Sequence, residues 1–358
     1  MADKSDIEWT DATWNPITGC SVVSPGCTNC YAMKLAGTRL QHHPSRAGLT
    51  TMSKAGPVWN GQVRLNDEWL LQPLHWKAPR RIFVCAHGDL FHESVPDEWI
   101  DRVFAVMALA PQHTFQVLTK RSKRMRKYLA TSGAVDKVVD AIREIGLAAE
   151  LRSRANPSTR RMITQDQIID TDARATAFNL EGGYSEWPLP NVWLGVSTED
   201  QQRADERIPD LLATPAAVRF ISAEPLLGAL DISTPFHSGR PYLGLPIHQN
   251  PHDQTWHQYG RSGSHLDWVI VGGESGSGAR RMHPDWVRSL RDQCAAAGVP
   301  FFFKQWGEWA PYDRSAYASS KLASPNSLDN PMQRFGKARA GRLLDGVERN
   351  GMPEVRRG

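Results

Sequence analysis

One recurring unit constrains this chain more than anything else in it: a short apolar strand, a polar turn, then a helix. RIFVC at Arg81–Cys85, TFQVLT at Thr114–Thr119, VWLGV at Val192–Val196, VRFIS at Val218–Ser222, WVIV at Trp268–Val271 and VPFFFK at Val299–Lys304 are all of strand length and nearly continuously apolar. Strands of that kind are covered on both faces, as in parallel sheets. Helical patterns come between them. Pro96-Asp97-Glu98 opens one, with Trp99, Val103, Val106, Met107 and Leu109 behind it, and Gln201–Ala213 and Pro284–Ala297 are two more. With the segment that precedes the first cysteines, the series reaches seven strands. It predicts an α/β fold, a complete or partial (β/α) TIM-type barrel with irregular insertions, ahead of an open doubly wound sheet.

The 358 residues suffice for one large domain or two ordinary ones. The expected barrel covers 1–309. Insertions are expected near 42–78 (polar, rich in Gly, Pro and Trp), 131–185 (with a helical piece at Val135–Leu151) and 236–265 (rich in His, Gly, Pro and Tyr). Residues 310–358 read as a polar extension whose GRLLDGVERNG run forms a hairpin turning at Asp345-Gly346. No apolar run approaches the ~20 residues of a membrane span, and MADKSDIEW carries no signal region, so no membrane partner is expected.

Chemistry concentrates in WNPITGCSVVSPGCTNCYA, Trp14 to Ala32. Cys20, Cys27 and Cys30 stand there in a C-x6-C-x2-C spacing with no fourth cysteine nearby, and Ser24-Pro25-Gly26 turns the loop back on itself. YAMKLAGTRLQ reads as a helix whose N-terminal dipole favours thiolates at Cys27 and Cys30. Three thiolates from one loop suit a metal or an iron–sulfur cluster with one coordination position open. A structural zinc site with His42 or His43 as fourth ligand is the other reading. The remaining cysteines, Cys85 and Cys294, lie in regular patterns, which argues against a disulfide framework and for a reducing cytoplasm.

Polar residues gather after strand ends: Asp89, Lys120, Ser197 with Glu199, Glu224, and Glu274. In a barrel those positions share the rim where active sites assemble. His87, Asp89, His92 and Glu93 are metal-ligand types in one loop, and a metal-dependent hydrolase using His87, Asp89 and His92 is an alternative reading. Cys85 is either a thiol at the barrel mouth or a small buried hydrophobe. KRSKRMRKY, from Lys120, is either a phosphate-contacting patch or a solvated helix face. The formal charge of +4 permits nucleic acid without demanding it, and the thirteen tryptophans suit base stacking or a barrel core about equally.

A three-cysteine loop after the first strand of such a barrel resembles the radical S-adenosylmethionine superfamily. More closely, the cysteine loop, GDLFHESVPDEWIDRVF, VLTKR, NVWLGVSTED, ISAEPLL, DWVIVGGESG and FFFKQWGEW resemble a phage- and prophage-associated three-cysteine-motif family without an assigned reaction. The superfamily's usual spacing is C-x3-C-x2-C with an aromatic before the last cysteine. Here six residues separate the first two cysteines, Asn29 precedes the last, and Tyr31 follows it.

The resemblance implies a 4Fe–4S cluster held by Cys20, Cys27 and Cys30. S-adenosyl-L-methionine would bind its open iron and, on reduction by an external electron donor, give a 5′-deoxyadenosyl radical. By position in the barrel, the resemblance places Gly88 and Asp89 at the cofactor's amino group and Lys120 or Arg121 at its carboxylate. Ser197 and Glu199 fall at its ribose, Tyr31 beside the last cysteine, and Glu224 with Gly272-Gly273-Glu274 complete the rim. Cys85, Lys120 and Glu274 are the catalytic expectations; a thiol at Cys85 would act as in spore photoproduct lyases. The expected substrate is a nucleotide or a DNA or RNA base, with a partner protein as a further expectation. The non-enzymatic alternative is a zinc-stabilised nucleic-acid-binding phage protein.

Overall fold

The structure, a computed structural model, describes residues 4–155, 187–233, 242–243, 248–249, 256–257, 265–311 and 332–354. Seven strands form one sheet in chain order: β1 Ala12–Trp14, β2 Arg81–Val84, β3 Thr114–Thr119, β4 Val192–Ser197, β5 Val218–Ala223, β6 Trp268–Gly272 and β7 Phe301–Gln305. Every pairing between neighbours is parallel. The sheet curls through 206° into an open half-barrel flanked by helices, the partial (β/α) barrel that the strand–helix series predicts. The helices used below are α1 Tyr31–Ala36, α2 Asp97–Leu109, α3 Ser122–Leu129, α4 Ala134–Ala155, α5 Gln201–Leu212 and α6 Pro284–Ala297.

The strands' period of two divides the core into two layers. One set of side chains, including Ile82, Val84, Val117, Leu194, Ile221, Val269 and Phe303, packs outward with Ile100, Val103 and Phe104 of α2, Ile208 and Leu211 of α5, and Val287 and Leu290 of α6. The alternate set, Phe83, Leu118, Trp193, Phe220, Trp268, Ile270 and Phe302, packs with Trp9 on the concave side. Trp193 and Phe220 both lie against Trp268, ring centroids 5.9 and 5.6 Å away. Gly195 opens space for this layer, because a Cβ there would stand 2.5 Å from the Phe220 ring. Each such buried side chain contributes roughly 1.5–3 kcal/mol. Three tryptophans therefore floor the half-barrel.

Helix ends follow their local chemistry. The Asp200 side chain caps α5, accepting from Arg203 N at 3.0 Å. Pro284 opens α6, and Gly298, in the left-handed region at φ 65°, ends it. Ions hold α3 down: Arg124 donates to Asp97 at 2.8 Å and Arg126 lies 3.1 Å from Asp210.

The stretch near 42–78 is more ordered than its sequence implies. Thr50–Ser53 pairs with Gly56–Trp59, and Arg64–Leu65 pairs back onto Ile17–Thr18. Strands this short carry too few residues for a period to register. α4 covers the helical piece expected at Val135–Leu151 and packs Val138, Val139 and Ile142 into the outer core. Most of 156–186 and 234–264 lies outside the described residues. The chain's last described stretch is a hairpin, Leu343–Leu344 with Val347–Glu348, followed by residues laid along β7: Phe303 N donates to Arg349 O and Gly351 N to Phe301 O. Among the described residues no helix is long and apolar enough to cross a membrane.

Candidate functional site

The cysteine loop leaves β1 and lies across the mouth of the half-barrel, tied down by the ends of four other strands. After β2, Ala86 O accepts from the Tyr31 hydroxyl at 2.8 Å, and Gly88 bridges to Gly19. After β3, Arg121 donates to Cys20 Sγ at 3.3 Å, Ser21 Oγ at 2.8 Å and Ser21 O at 3.1 Å. Beyond β4, Glu199 Oε1 accepts from Gly26 N at 3.4 Å. After β6, Gly278 O accepts from Asn29 Nδ2 at 2.8 Å, and Arg280 donates to Pro25 O at 3.0 Å.

Within the loop, a 3-10 turn at Pro25–Cys27 runs into α1. Cys27 N donates to Ser24 O, Cys30 N to Cys27 O, and Cys30 is the residue before the first turn of α1. Cys20 and Cys30 pack against the same small cluster of Ala32, Met33, Ala36, Leu49 and Trp59. Cys27 and Cys20 act on each other electrostatically. Burial pushes the Cys20 thiol up to about 12 against the pull of Arg121. All five cysteines are free. Among the described residues no three His, Cys, Asp or Glu side chains converge closely enough for a single metal ion.

Three of the rim residues singled out in the sequence, Asp89, Glu199 and Glu274, hold this loop. Asp89 is 4% exposed, and both its oxygens are occupied. Oδ1 accepts from Thr119 Oγ1 at 2.6 Å and Phe91 N at 3.0 Å, and Oδ2 from Lys120 N and Arg121 Nη1, each at 3.1 Å. It orients Arg121 against Cys20. Gly88 also serves the loop. A Cβ there would stand 2.9 Å from Ile17 O, so its close approach is to the cysteine loop's own backbone.

Glu199 is fully buried and accepts from Arg207 Nη1 at 2.9 Å. Burial pushes its carboxyl up, but the Lys120 and Arg207 charges outweigh this and hold it below the ordinary 4.5. Glu274 takes two bonds from the Arg280 side chain, at 2.6 and 2.9 Å, and is likewise held below 4.5 by Arg280 despite burial. Glu199 reaches the loop at Gly26 N, and Glu274 reaches it through Arg280, which also donates to Pro25 O. Both serve as clamps.

Of the two readings given for Cys85, the small buried hydrophobe describes its place. It sits at φ 57°, in the left-handed region, is 3% exposed, and belongs to the outer, helix-facing core. Burial pushes its thiol up to about 12. The backbone turn at the end of β2 breaks the alternation that would have aimed it inward. The hydrolase ligands diverge too. Asp89 is engaged as above, His92 bonds Ser21 Oγ through Nε2 at 3.0 Å and accepts from Ser94 N through Nδ1, and His87 stacks edge-on against Tyr31. In the basic run, Lys120, Arg121, Arg124 and Arg126 are all engaged within the fold, leaving Lys123 and Lys127 on its exposed face.

What remains facing the mouth, above the tryptophan floor, is a smaller set. Continuing the inward alternation brings Lys120 against Ser197, Nζ to Oγ 2.9 Å, and Glu224 against Lys304, whose Nζ donates to both carboxylate oxygens at 2.8 and 3.0 Å. Gly272 lies beside Glu224, where a Cβ would come 3.2 Å from the carboxylate carbon. Tyr31 is half accessible although protein crowds it closely; burial, Cys30 and Glu224 raise its hydroxyl above its ordinary value.

Lys304 was not among the residues singled out in the sequence. Its place in FFFKQ, one alternation beyond the inward Phe302, was the available signal. Arg207 and Arg280 carried no comparable signal, since their partners lie eight and six residues away across turns.

The family model described as "Protein of unknown function (DUF5131)" matches residues 4–353. No curated protein and no solved structure matches the chain.

Proposed function

We propose, from the premise that this chain belongs to the DUF5131 family of unknown function, that it is a radical S-adenosylmethionine enzyme acting on a nucleotide or nucleic-acid base. One observation carries the reading: a loop with three free cysteines is pinned from four strand ends across the mouth of a parallel half-barrel. A fold that needed only packing there would have no use for thiols, or for a buried arginine aimed at one of them.

The donor set suits an iron–sulfur cluster. A four-iron cluster takes each thiolate at a different iron, so its ligands stand farther apart than those of one metal ion. Cys20, Cys27 and Cys30 would hold the cluster, and its fourth iron would take the cofactor. A bound, reduced cluster would supply the electron that cleaves the cofactor's sulfonium.

This chain's own residues divide the remaining work. Arg121, oriented by Asp89, places a positive charge and a hydrogen bond at Cys20 Sγ and lowers the cost of a thiolate there. Cys30 stands at the residue before the first turn of α1. Glu199 with Arg207, and Glu274 with Arg280, keep the loop seated. Lys304 and Glu224 form a partly buried ion pair that would position a polar substrate group. Lys120 and Ser197 offer a second donor–acceptor pair on the same side. Free cysteines of this kind fit a reducing cytoplasm.

Anaerobic reconstitution with iron and sulfide tests the reading. The expected product is brown, with about four irons per chain, and both properties are lost when Cys20, Cys27 and Cys30 are replaced together by Ser. With dithionite and S-adenosylmethionine it should release 5′-deoxyadenosine. A colourless protein with stoichiometric zinc, or a fully loaded and reduced protein that releases none, overturns the proposal.

A further inference from the structure

Beside the cysteine loop stands a positive charge that nothing in the scheme above uses. Arg46 is 5% exposed and pairs with no carboxylate among the described residues. Its Nη1 donates to Ser45 Oγ at 2.6 Å, while its Nε is buried without a hydrogen-bond partner. A buried cation with neither counter-ion nor full hydrogen bonding is costly, and an anion bound there would offset that cost.

The surroundings are built rather than incidental. The guanidinium carbon lies 5.9 Å from the centre of the Trp69 ring, and Trp69 is itself fixed by a 2.8 Å bond from Trp14 Nε1 to its carbonyl. Thr18 Oγ1 donates to Ser45 O at 2.6 Å, tying the Arg46 turn to the segment that leads into the cysteines. A second guanidinium, Arg64, donates to Pro44 O and Ala47 O and lies close enough to act on Arg46, again with no carboxylate among the described residues. The charge of Arg46 also acts on Tyr31 and His87 at the mouth, and His87 Nδ1 is a second buried nitrogen without a partner.

We propose that Arg46, backed by Arg64 and flanked by His87, is a phosphate-binding subsite on the mouth wall that takes the phosphomonoester of a nucleotide-class substrate. Two uncompensated guanidinium charges match a dianion better than a carboxylate's single charge. The planar arginine fork, whose Nε is unpartnered among the described residues, has the shape to meet two phosphate oxygens. This assigns a substrate class to the reaction proposed above. It rests on that reading for the ligand's fate and not for its binding.

Equilibrium titration of the full-length protein, without cluster loading or turnover, tests it. Inorganic phosphate should bind, acetate at least about tenfold more weakly, and a nucleoside 5′-monophosphate more tightly than phosphate alone. Arg46→Gln should weaken phosphate binding by about tenfold or more, while Arg339→Gln, on an exposed helix of the C-terminal region, should leave it unchanged.

Because Arg46→Gln alters a buried position, two further measurements stand apart from it. Arg46→Lys, which keeps the charge but loses the fork, should bind phosphate several-fold more weakly. In the unmodified protein, the His87 ring resonances should shift to a higher apparent pKa on phosphate addition, since a neighbouring anion favours imidazolium. Equal affinity in Arg46→Gln or an unmoved His87 overturns the subsite. Acetate binding as well as phosphate, or a nucleotide binding no better than phosphate, overturns the assignment of its ligand. Release of 5′-deoxyadenosine depends on none of these results, so the two proposals fail separately.

Discussion

Glu199 shows how much a single buried carboxylate does here. It receives Arg207 on one oxygen and the cysteine-loop amide of Gly26 on the other, in a place that water does not reach. Glu199→Gln leaves Arg207 buried beside a neutral partner and should cost about 3 kcal/mol, read as a lower midpoint in urea unfolding. The pH dependence has a definite sign. Because Glu199 is held below its ordinary 4.5 in the folded protein, its stabilisation is complete above that value and is lost as the pH falls through the lower folded pKa. Glu274 behaves alike. The unfolding free energy should therefore decline on acidification below about pH 4.5, and less steeply in Glu199→Gln. An identical acid limb in the two proteins would show that the Glu199 pair does not carry it.

At the scale of elements, the loop and the strand ends that hold it form one unit. Gly88→Ala inserts a methyl against Ile17 O and should cost about 1–3 kcal/mol, with the added consequence that the cysteine loop shifts and iron loading on reconstitution falls. A loss of stability with loading intact would separate the strand contact from the cysteine geometry. The helices are less interdependent. Asp200→Ala removes the cap of α5 and should lower stability by about 1 kcal/mol, visible in urea unfolding, without changing iron content.

The whole molecule is an open half-barrel, and an open sheet has edges. One of them, β7, is covered by the residues after the terminal hairpin, through Phe303 N to Arg349 O, Gly351 N to Phe301 O, and Trp268 Nε1 to Gly351 O at 2.7 Å. Uncovered, that edge would present unpaired backbone groups to other chains. Deleting residues 343–358 should make the protein self-associate with rising concentration, as measured by light scattering after size-exclusion chromatography. A monodisperse monomer would show that the tail is dispensable for edge protection. The same stretch reads from sequence as a polar appendage, yet beside its backbone bonds to β7 it buries Leu344 in the outer core and pairs Asp345 with Arg288 and Arg291 of α6, contacts too few and too scattered to mark its composition.

Local rules on their own determined the strand–helix alternation, the parallel sheet and the position of the cysteine loop after the first strand. Burial on both faces, helix capping and turn chemistry all act within a few residues, and Arg81–Val84 or Val192–Ser197 shows them plainly. Only the tertiary structure decided what the rim residues do. Asp89, Glu199 and Glu274 have the types and places expected of cofactor-binding or catalytic carboxylates. Each is engaged by an arginine, two of which sit six to eight residues farther along in turns or helices that follow no readable period. The same three-dimensional convergence leaves Arg46 Nε buried without a hydrogen-bond partner among the described residues and brings Lys304 to Glu224 from eighty residues away. A sequence shows which groups can ionise; whether a partner has already claimed them depends on distances that exist only after the chain has folded.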